Sequence, residues 1–311
     1  MTRFELNILG CGSAKPTQRH LPSCQVLNVR DNLMMIDCGE GAQLAMRRQR
    51  LKFSRLGHIF ISHLHGDHCF GLPGLISTMA LGERTGDLVI HILPDGQRLL
   101  QPVLDYFCRE MPFRVRFNII STCSAIIYED SAITVKSFPL AHRVPCVGFL
   151  FSEKSKMRHI NPEATGRWQV PHYAMHSLRQ GKDYVTPDGV VVPNENLTLP
   201  ADASHSYAYC SDTKYSQRVI NAVSGTEWLY HEATYADAEA TKARHRYHST
   251  ARQAAQVASQ AGVRQLILGH YSSQYSNESL LLAEAREVFP HTRLAAEGMT
   301  VNLNESGAQK K

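Results

Sequence analysis

The stretch His63-Leu64-His65-Gly66-Asp67-His68 sets three imidazoles and a carboxylate within six residues. Imidazole nitrogen and carboxylate oxygen are the donors that a borderline cation such as zinc takes, at about 2.0–2.2 Å. His63 and His65 are two apart, so in an extended segment they project the same way. Gly66 lets the chain turn, so Asp67 and His68 can face a second cation. The preceding run, Ile59-Phe60-Ile61-Ser62, is short and apolar, ends abruptly, and reads as a buried strand. A strand end of that kind delivers its ligands into one cleft. The alternative is a histidine-rich surface loop, and H-x-H-x-D-H directly after a strand is too specific a pattern for that.

Four donors do not fill two metal sites. The chain has 16 histidines, so placement must select among them. His142 follows Ser137-Phe138-Pro139-Leu140-Ala141, Asp212 follows Tyr207-Ala208-Tyr209-Cys210-Ser211, and His270 follows Leu266-Ile267-Leu268-Gly269. Each stands just past a strand end, and strand ends at one edge of packed sheets converge. A carboxylate such as Asp212 can bridge two cations. Asp37 closes the strand Met34-Met35-Ile36 and opens Gly39-Glu40-Gly41. It reads either as a partner that orients a ligand histidine or as a turn-former.

The elements that must position these residues are legible in outline. The chain has 311 residues, 43% hydrophobic and 20% charged, ordinary globular composition with enough apolar residues for a large core. That predicts one large domain or two closely packed halves. Short apolar segments predict strands at Glu5–Leu9, Cys24–Val29, Leu33–Ile36, His58–Ile61, Leu88–Leu93, Arg114–Ile119, Ala132–Ser137 and Val147–Phe151, then at Ser206–Cys210, Glu227–His231 and Gln265–Leu268. Helical periodicity predicts Ala42–Lys52, Gly74–Ala80, Gln97–Arg109, Tyr215–Val223, Ser249–Gln260 and Glu278–Val288. Two β-rich halves with helices outside predict a layered α/β fold with sheets face to face.

No apolar run is long enough to span a bilayer, and the N-terminus reads as a first strand rather than a signal peptide. Eight cysteines are scattered with no C-x-x-C pair, which argues for reduced thiols in a cytoplasm. The formal net charge of +5 leans weakly toward polyanionic partners. Arg47, Arg48, Arg50, Lys52 and Arg55 form a basic run that either neutralises phosphates or is a solvated face. Ser152–Asp202 breaks the rhythm: it is polar, holds several Lys and Arg, and contains Val185-Thr186-Pro187-Asp188-Gly189-Val190-Val191-Val192, which reads as a small hairpin with an Asp-Gly turn. The segment is either a protruding arm or a disordered or decorative insertion.

With these residues in place, the chain resembles the metallo-β-lactamase superfamily, whose metal-ligand set His63-Leu64-His65-Gly66-Asp67-His68, His142, Asp212 and His270 match in order. It resembles more narrowly the short bacterial ribonuclease Z family, in Asp37-Cys38-Gly39-Glu40-Gly41, in Gly71-Leu72-Pro73-Gly74-Leu75, in His231-Glu232-Ala233-Thr234 and in His248-Ser249-Thr250. The resemblance implies one domain over residues 1–311 with a four-layer αββα sandwich, and an inserted arm at 152–202 that grips tRNA. It implies two zinc ions per subunit: His63, His65 and His142 on one, Asp67, His68 and His270 on the other, Asp212 bridging. It also implies a homodimer. The implied substrate is precursor tRNA, cut by hydroxide attack at the phosphodiester to remove the 3′ trailer and leave a 3′-hydroxyl.

Asp67 is then the candidate proton acceptor, and pure ligation is its other reading. His248 is the candidate acid, oriented by Glu232, whose carboxylate would keep the imidazole charged. Their plainer readings are a residue beside the helix cap Ser249 and a surface carboxylate. The chain departs from the family pattern in three places. The arm lacks the usual Gly-Pro stretch before Leu178-Arg179-Gln180-Gly181, Ala42 stands where threonine is common, and His20 follows Arg19 where asparagine is usual. The rival functions are a broader phosphodiesterase or exoribonuclease, hydrolysis of a lactam or thioester, and a non-catalytic RNA-binding module.

Overall fold

The computed structural model describes residues 3–82 and 84–305, which form two units. The described residues up to Ser152 and from Ser206 onward make the larger one, and Glu153–His205 the smaller.

The larger unit holds two seven-stranded sheets. From edge to edge, the first runs Thr300–Asn302, Phe4–Gly10, Cys24–Val29, Asn32–Cys38, Leu56–Phe60, Leu88–Ile92, Val115–Ile119. The second runs Thr292–Leu294, Gln265–Gly269, Trp228–Glu232, Ser206–Cys210, Val147–Glu153, Ile133–Pro139, Ala125–Glu129. Period-two alternation decides which core each side chain enters. Met34 and Ile36 join a cluster containing Phe149, Phe151 and Tyr209 of the second sheet, while Leu33 and Met35 join one containing Met46, Leu75 and Leu100 of the outer helices. Between the sheets, the Phe60 ring lies 5.6 Å from that of Phe149 and 5.3 Å from that of Phe151. Outside the second sheet, Ala254, Ala258 and Leu281 of helices Ala251–Ala261 and Ser279–Val288 complete the layers. The order is helix, sheet, sheet, helix, the αββα sandwich the sequence predicts.

Parallel pairing sets the active edge. Asn32–Cys38, Leu56–Phe60 and Leu88–Ile92 are parallel neighbours in one sheet, as are Ser206–Cys210, Trp228–Glu232 and Gln265–Gly269 in the other. The residues at the carboxyl ends of these strands are those with metal-ligand chemistry, as expected where ligands bind beyond the strand ends of open α/β sheets.

The differences from expectation have local causes. The first helix stops at Arg48, not Lys52, because Arg50 takes a left-handed φ of 57° and Leu51 turns back to the Met46 carbonyl. Two helices begin earlier than predicted, at Leu72 and Pro94, each with proline in its first turn, where the missing N–H costs nothing. Unpredicted elements of the larger unit include the strands Ala125–Glu129 and Thr292–Leu294 and the helices Gly66–Cys69 and Ala240–Arg246.

The smaller unit is folded, which removes the disordered alternative. Val170, Leu178, Tyr184, Val192 and Leu197 form its own buried cluster. The Asn194 amide donates to the Leu178 and Lys182 carbonyls at 2.8 Å each. The hairpin pairs Tyr184 with Val192 and Val185 with Val191, so its loop is longer than a two-residue Asp-Gly turn, with Gly189 at a φ of 81°. Among the described residues, no helix is long and apolar enough to cross a membrane.

Candidate metal centre

The seven expected ligands come together. His63 Nε2, His65 Nδ1 and His142 Nε2 converge: His65 Nδ1 is 3.0 Å from His63 and 3.3 Å from His142. Asp212 Oδ2 lies 3.6 Å from His63 Nε2 and 3.7 Å from His142 Nε2. On the other side, Asp212 Oδ1 is 3.4 Å from His68 Nε2 and 3.1 Å from His270 Nε2, while Asp67 Oδ2 is 3.4 and 3.5 Å from the same two nitrogens. Asp212 thus offers one oxygen to each half.

These residues fit a pair of cations. Tetrahedral donors about 2.0–2.1 Å from a zinc ion stand about 3.3–3.4 Å apart, in the middle of the observed spread. His68 Nε2 and His270 Nε2 are buried without a hydrogen-bond partner, the state of a lone pair reserved for a ligand. Asp37, Asp67 and Asp212 are mostly or fully buried, and among the described residues their ion pairs go only to histidines. Buried negative charge of that density calls for cations. Burial drives the pKa of His63, His65 and His142 down, which leaves the neutral rings that ligation requires. Burial also disfavours a charged His68, but Asp37, Asp212 and Asp67 reverse this and raise its pKa well above normal.

Four of the five rings are oriented by a hydrogen bond from Nδ1–H that leaves Nε2 facing the centre. His63 donates to Ser62 Oγ at 3.0 Å, His68 to Asp37 Oδ2 at 2.7 Å, His142 to the Tyr247 carbonyl at 3.1 Å and His270 to Thr234 Oγ1 at 2.9 Å. Asp37 therefore has both roles the sequence left open. It turns the chain at a φ of 55°, and it accepts hydrogen bonds from Ser62 N, Ser62 Oγ, Tyr209 Oη and His68. Among the described residues, four of the eight non-glycine residues with left-handed backbone are Ala14, Asp37, Tyr247 and His270. Each holds or is a site residue, so backbone strain is concentrated where donors must be aimed. Gly39 is required by close approach, since a Cβ there would stand 2.6 Å from the Asp67 carbonyl oxygen.

His248 and Glu232 adjoin the centre. Glu232 is fully buried and accepts from His248 Nδ1 at 2.9 Å, from Thr213 N at 2.8 Å and from Thr234 Oγ1 at 2.6 Å. Burial disfavours charge on His248, but Glu232 outweighs it and lifts the imidazole to about 9. Burial also raises Asp67, and His68 and His270 more than reverse that, holding it well below the usual carboxylate range. All its recorded contacts fall on Oδ2, including one from Ala14 N–H at 2.7 Å.

Sequence reading missed Thr234, which links Glu232 to His270. The signal was the last letter of His231-Glu232-Ala233-Thr234. It also missed the rim arginines Arg143 and Arg246, which line the 310 Å³ cleft. The basic run is not brought to the site. Arg47 packs over the Phe53 ring, Arg55 pairs with Asp31 at 2.9 Å, and none of the five residues lines the cleft.

Comparison with known proteins bears on the fold and the family. A family model described as "Anti-Pycsar protein Apyc1" matches residues 4–154. In solved structures, the short form of human tRNase Z superposes with a TM-score of 0.68 at 23% identity, covering 96% of this chain and 99% of that one. The Bacillus subtilis metallo-β-lactamase fold protein YhfI does so with a TM-score of 0.70 at 16% identity, covering 96% and 99%. These establish the fold. Sequence relatives go further: ribonuclease Z of Parabacteroides distasonis and of Bacteroides fragilis are each 52% identical over 304 residues, covering 97% of this chain and 100% of theirs. Ribonuclease Z of Porphyromonas gingivalis is 48% identical over 305 residues, with coverage of 97% and 100%. With that identity running nearly the length of the chain, this protein belongs to the ribonuclease Z family, on the metallo-β-lactamase fold.

Proposed function

We propose that this chain is an endoribonuclease that removes the 3′ trailer of precursor tRNA, with two zinc ions per subunit held by His63, His65 and His142, by Asp67, His68 and His270, and by Asp212 between them. The observation that carries this reading is the coupling of that seven-residue cluster to the buried Glu232–His248 pair. Metal hydrolysis alone needs the cluster, while a ribose leaving oxygen also needs an acid.

Zinc bound there would supply a deprotonated water at neutral pH and offset negative charge on the phosphate. The chain's own residues do the rest. Asp67 Oδ2, which faces His68 and His270, would hold the cation, and Oδ1 is left to accept a proton from the attacking water. His248, held charged by Glu232, gives its proton to the departing ribose 3′ oxygen, which leaves a 3′-hydroxyl on the tRNA body and a 5′-phosphate on the trailer. Glu232 also fixes Thr213, next to Asp212, and through Thr234 fixes His270, so acid and ligands move as one body. The reading extends to Glu153–His205 as a tRNA-gripping arm of a single-domain enzyme, to a homodimer and to a cytoplasmic location, all supported by family membership.

The test is incubation of purified protein with a 3′-extended precursor tRNA and a length-matched unstructured RNA, with chelator and with re-added zinc. Zinc-restored endonucleolytic cutting of the tRNA alone is the expected result. Equal trimming of both RNAs would instead make this a general phosphodiesterase.

A further inference from the structure

A second cavity, of about 390 Å³, opens beside the cleft and shares His248 with it. That volume falls in the range of about 300–1,000 Å³ typical of small-ligand sites, room for one nucleotide and not for a helix. Lys214, Tyr215, Thr241, Arg244 and Gln253 line it. Lys214 Nζ is held 4.2 Å from the Tyr247 ring centroid, so it is fixed by an aromatic face rather than by a carboxylate. Among the described residues, the guanidinium groups of Arg244, Arg143 and Arg246 have no recorded ion pair, hydrogen bond or ring contact. Tyr215 is 37% exposed and tethered only at its hydroxyl, which donates to Gln260 Oε1 at 3.1 Å. Its ring is free to meet another flat group. Uncommitted cations with one open aromatic are the chemistry of a nucleotide's phosphate and base.

The position of His248 decides which nucleotide. Attack and departure lie roughly in line across phosphorus. Water oxygen bonds to phosphorus, the P–O3′ bond breaks, and the 3′ oxygen takes the proton of His248. The residue attached to that oxygen must therefore lie on the His248 side, where this cavity opens. We infer that the cavity receives the nucleotide on the leaving-oxygen side of the scissile phosphate, the last nucleotide of the tRNA body. Arg244 and Lys214 face its 5′ phosphate, and Tyr215 faces its base. The inference rests on the reading of the chain as a precursor-tRNA endonuclease. It adds a polarity: the body of the substrate lies toward Arg244, and the trailer runs the other way from the metal cleft.

The test is a cycle between protein and substrate, with the full zinc-loaded chain and three versions of one 3′-extended precursor tRNA: intact, abasic at the nucleotide 5′ of the cut, and abasic at the nucleotide 3′ of it. Removing the 5′-side base is expected to lower kcat/KM of the unaltered protein about tenfold, the worth of one base–aromatic stack. Tyr215→Ala should lose a similar factor on the intact RNA and little more on the 5′-abasic one, while Tyr215→Phe, which keeps the ring, retains the dependence on the base. Arg244→Glu should raise KM for all three RNAs. Metal content and thermal melting of each variant report on its fold. Equal sensitivity of Tyr215→Ala and the unaltered protein to the 5′-side base overturns the proposal, as does coupling of Tyr215 to the 3′-side base, which would reverse the polarity. An unaltered chain that cuts no precursor tRNA removes the functional reading itself, and this proposal with it.

Discussion

At the scale of single residues, the candidate ligands were legible because they are chemically rare and crowded. His63, His65, Asp67 and His68 announce themselves by spacing, and His142, Asp212 and His270 by standing after apolar runs. What orients them was not legible, because Ser62, Thr234, Tyr209 and the Tyr247 carbonyl are ordinary groups whose role comes only from distance in space. Asp37 is the exception: the sequence offered it as an orienting partner, and it satisfies His68, Ser62 and Tyr209 together. Asp37→Ala should free the His68 ring and leave buried donors unpaired. Zinc affinity and activity should fall about 10–100-fold, read by metal titration beside turnover, and retention of both would show that His68 needs no such partner. His20 offers a pH test away from the metal ligands. It faces Glu297 at 2.9 Å and Glu278 at 3.2 Å, with Arg19, Cys11 and the Tyr271 ring around it. The hydrogen bond to Glu297 raises its pKa against the effect of burial. A raised folded pKa means stabilisation in full below about 6.5 that is lost as pH rises through the folded value. The melting temperature of the unaltered chain should therefore exceed that of His20→Asn most at pH 6, with the gap narrowing toward alkaline pH. A gap independent of pH would show that packing, not charge, is what His20 contributes.

At the scale of elements, strands buried on both faces were read nearly to their ends; Cys24–Val29 and Ser206–Cys210 match to the residue. Ala125–Glu129 escaped because it is a partly exposed edge strand with no alternation, and Ala240–Arg246 because Ala243 is its only buried side chain. The loop carrying His248 shows how an element end serves a site. Thr250 caps helix Ala251–Ala261: its hydroxyl accepts from Gln253 N at 3.2 Å while the Gln253 side chain accepts from Thr250 N at 3.1 Å. Ser249 Oγ donates to the Thr213 carbonyl at 2.7 Å, tying that cap to the strand end that bears Asp212. Thr250→Ala should cost about 0.5–2 kcal/mol in denaturant unfolding. It should also lower kcat more than KM changes, because His248 is placed by the same turn. A stability loss with kcat intact would mean that Glu232 alone positions the acid.

At the scale of the molecule, the sequence predicted an excursion at Ser152–Asp202 but pointed to its lysines and arginines as the reason it would matter. Residues 153–205 hold six basic and six acidic side chains, so the unit has no net charge and the chain's +5 resides elsewhere. Among its exposed residues are large apolar ones: Tyr173 at 83%, Trp168 at 46%, and Val185, Val190 and Val191. If this arm grips tRNA, it does so by stacking and surface contact more than by counterion release. The consequence can be measured. Glu153 N donates to the His205 carbonyl at 2.9 Å and Ser152 pairs with Ser206, so the ends of the unit are adjacent. Replacing 154–204 by a short Gly-Ser linker should leave the sandwich folded, since its clusters share no residue with that of the smaller unit. The KM for precursor tRNA should rise at least about tenfold, as for the loss of one or more stacked contacts. The slope of log KM against log salt, which counts neutralised phosphates at about 0.9 each, should stay nearly the same. A collapse of that slope on excision would place the electrostatic grip in the arm after all and take it away from the arginine rim of the metal cleft.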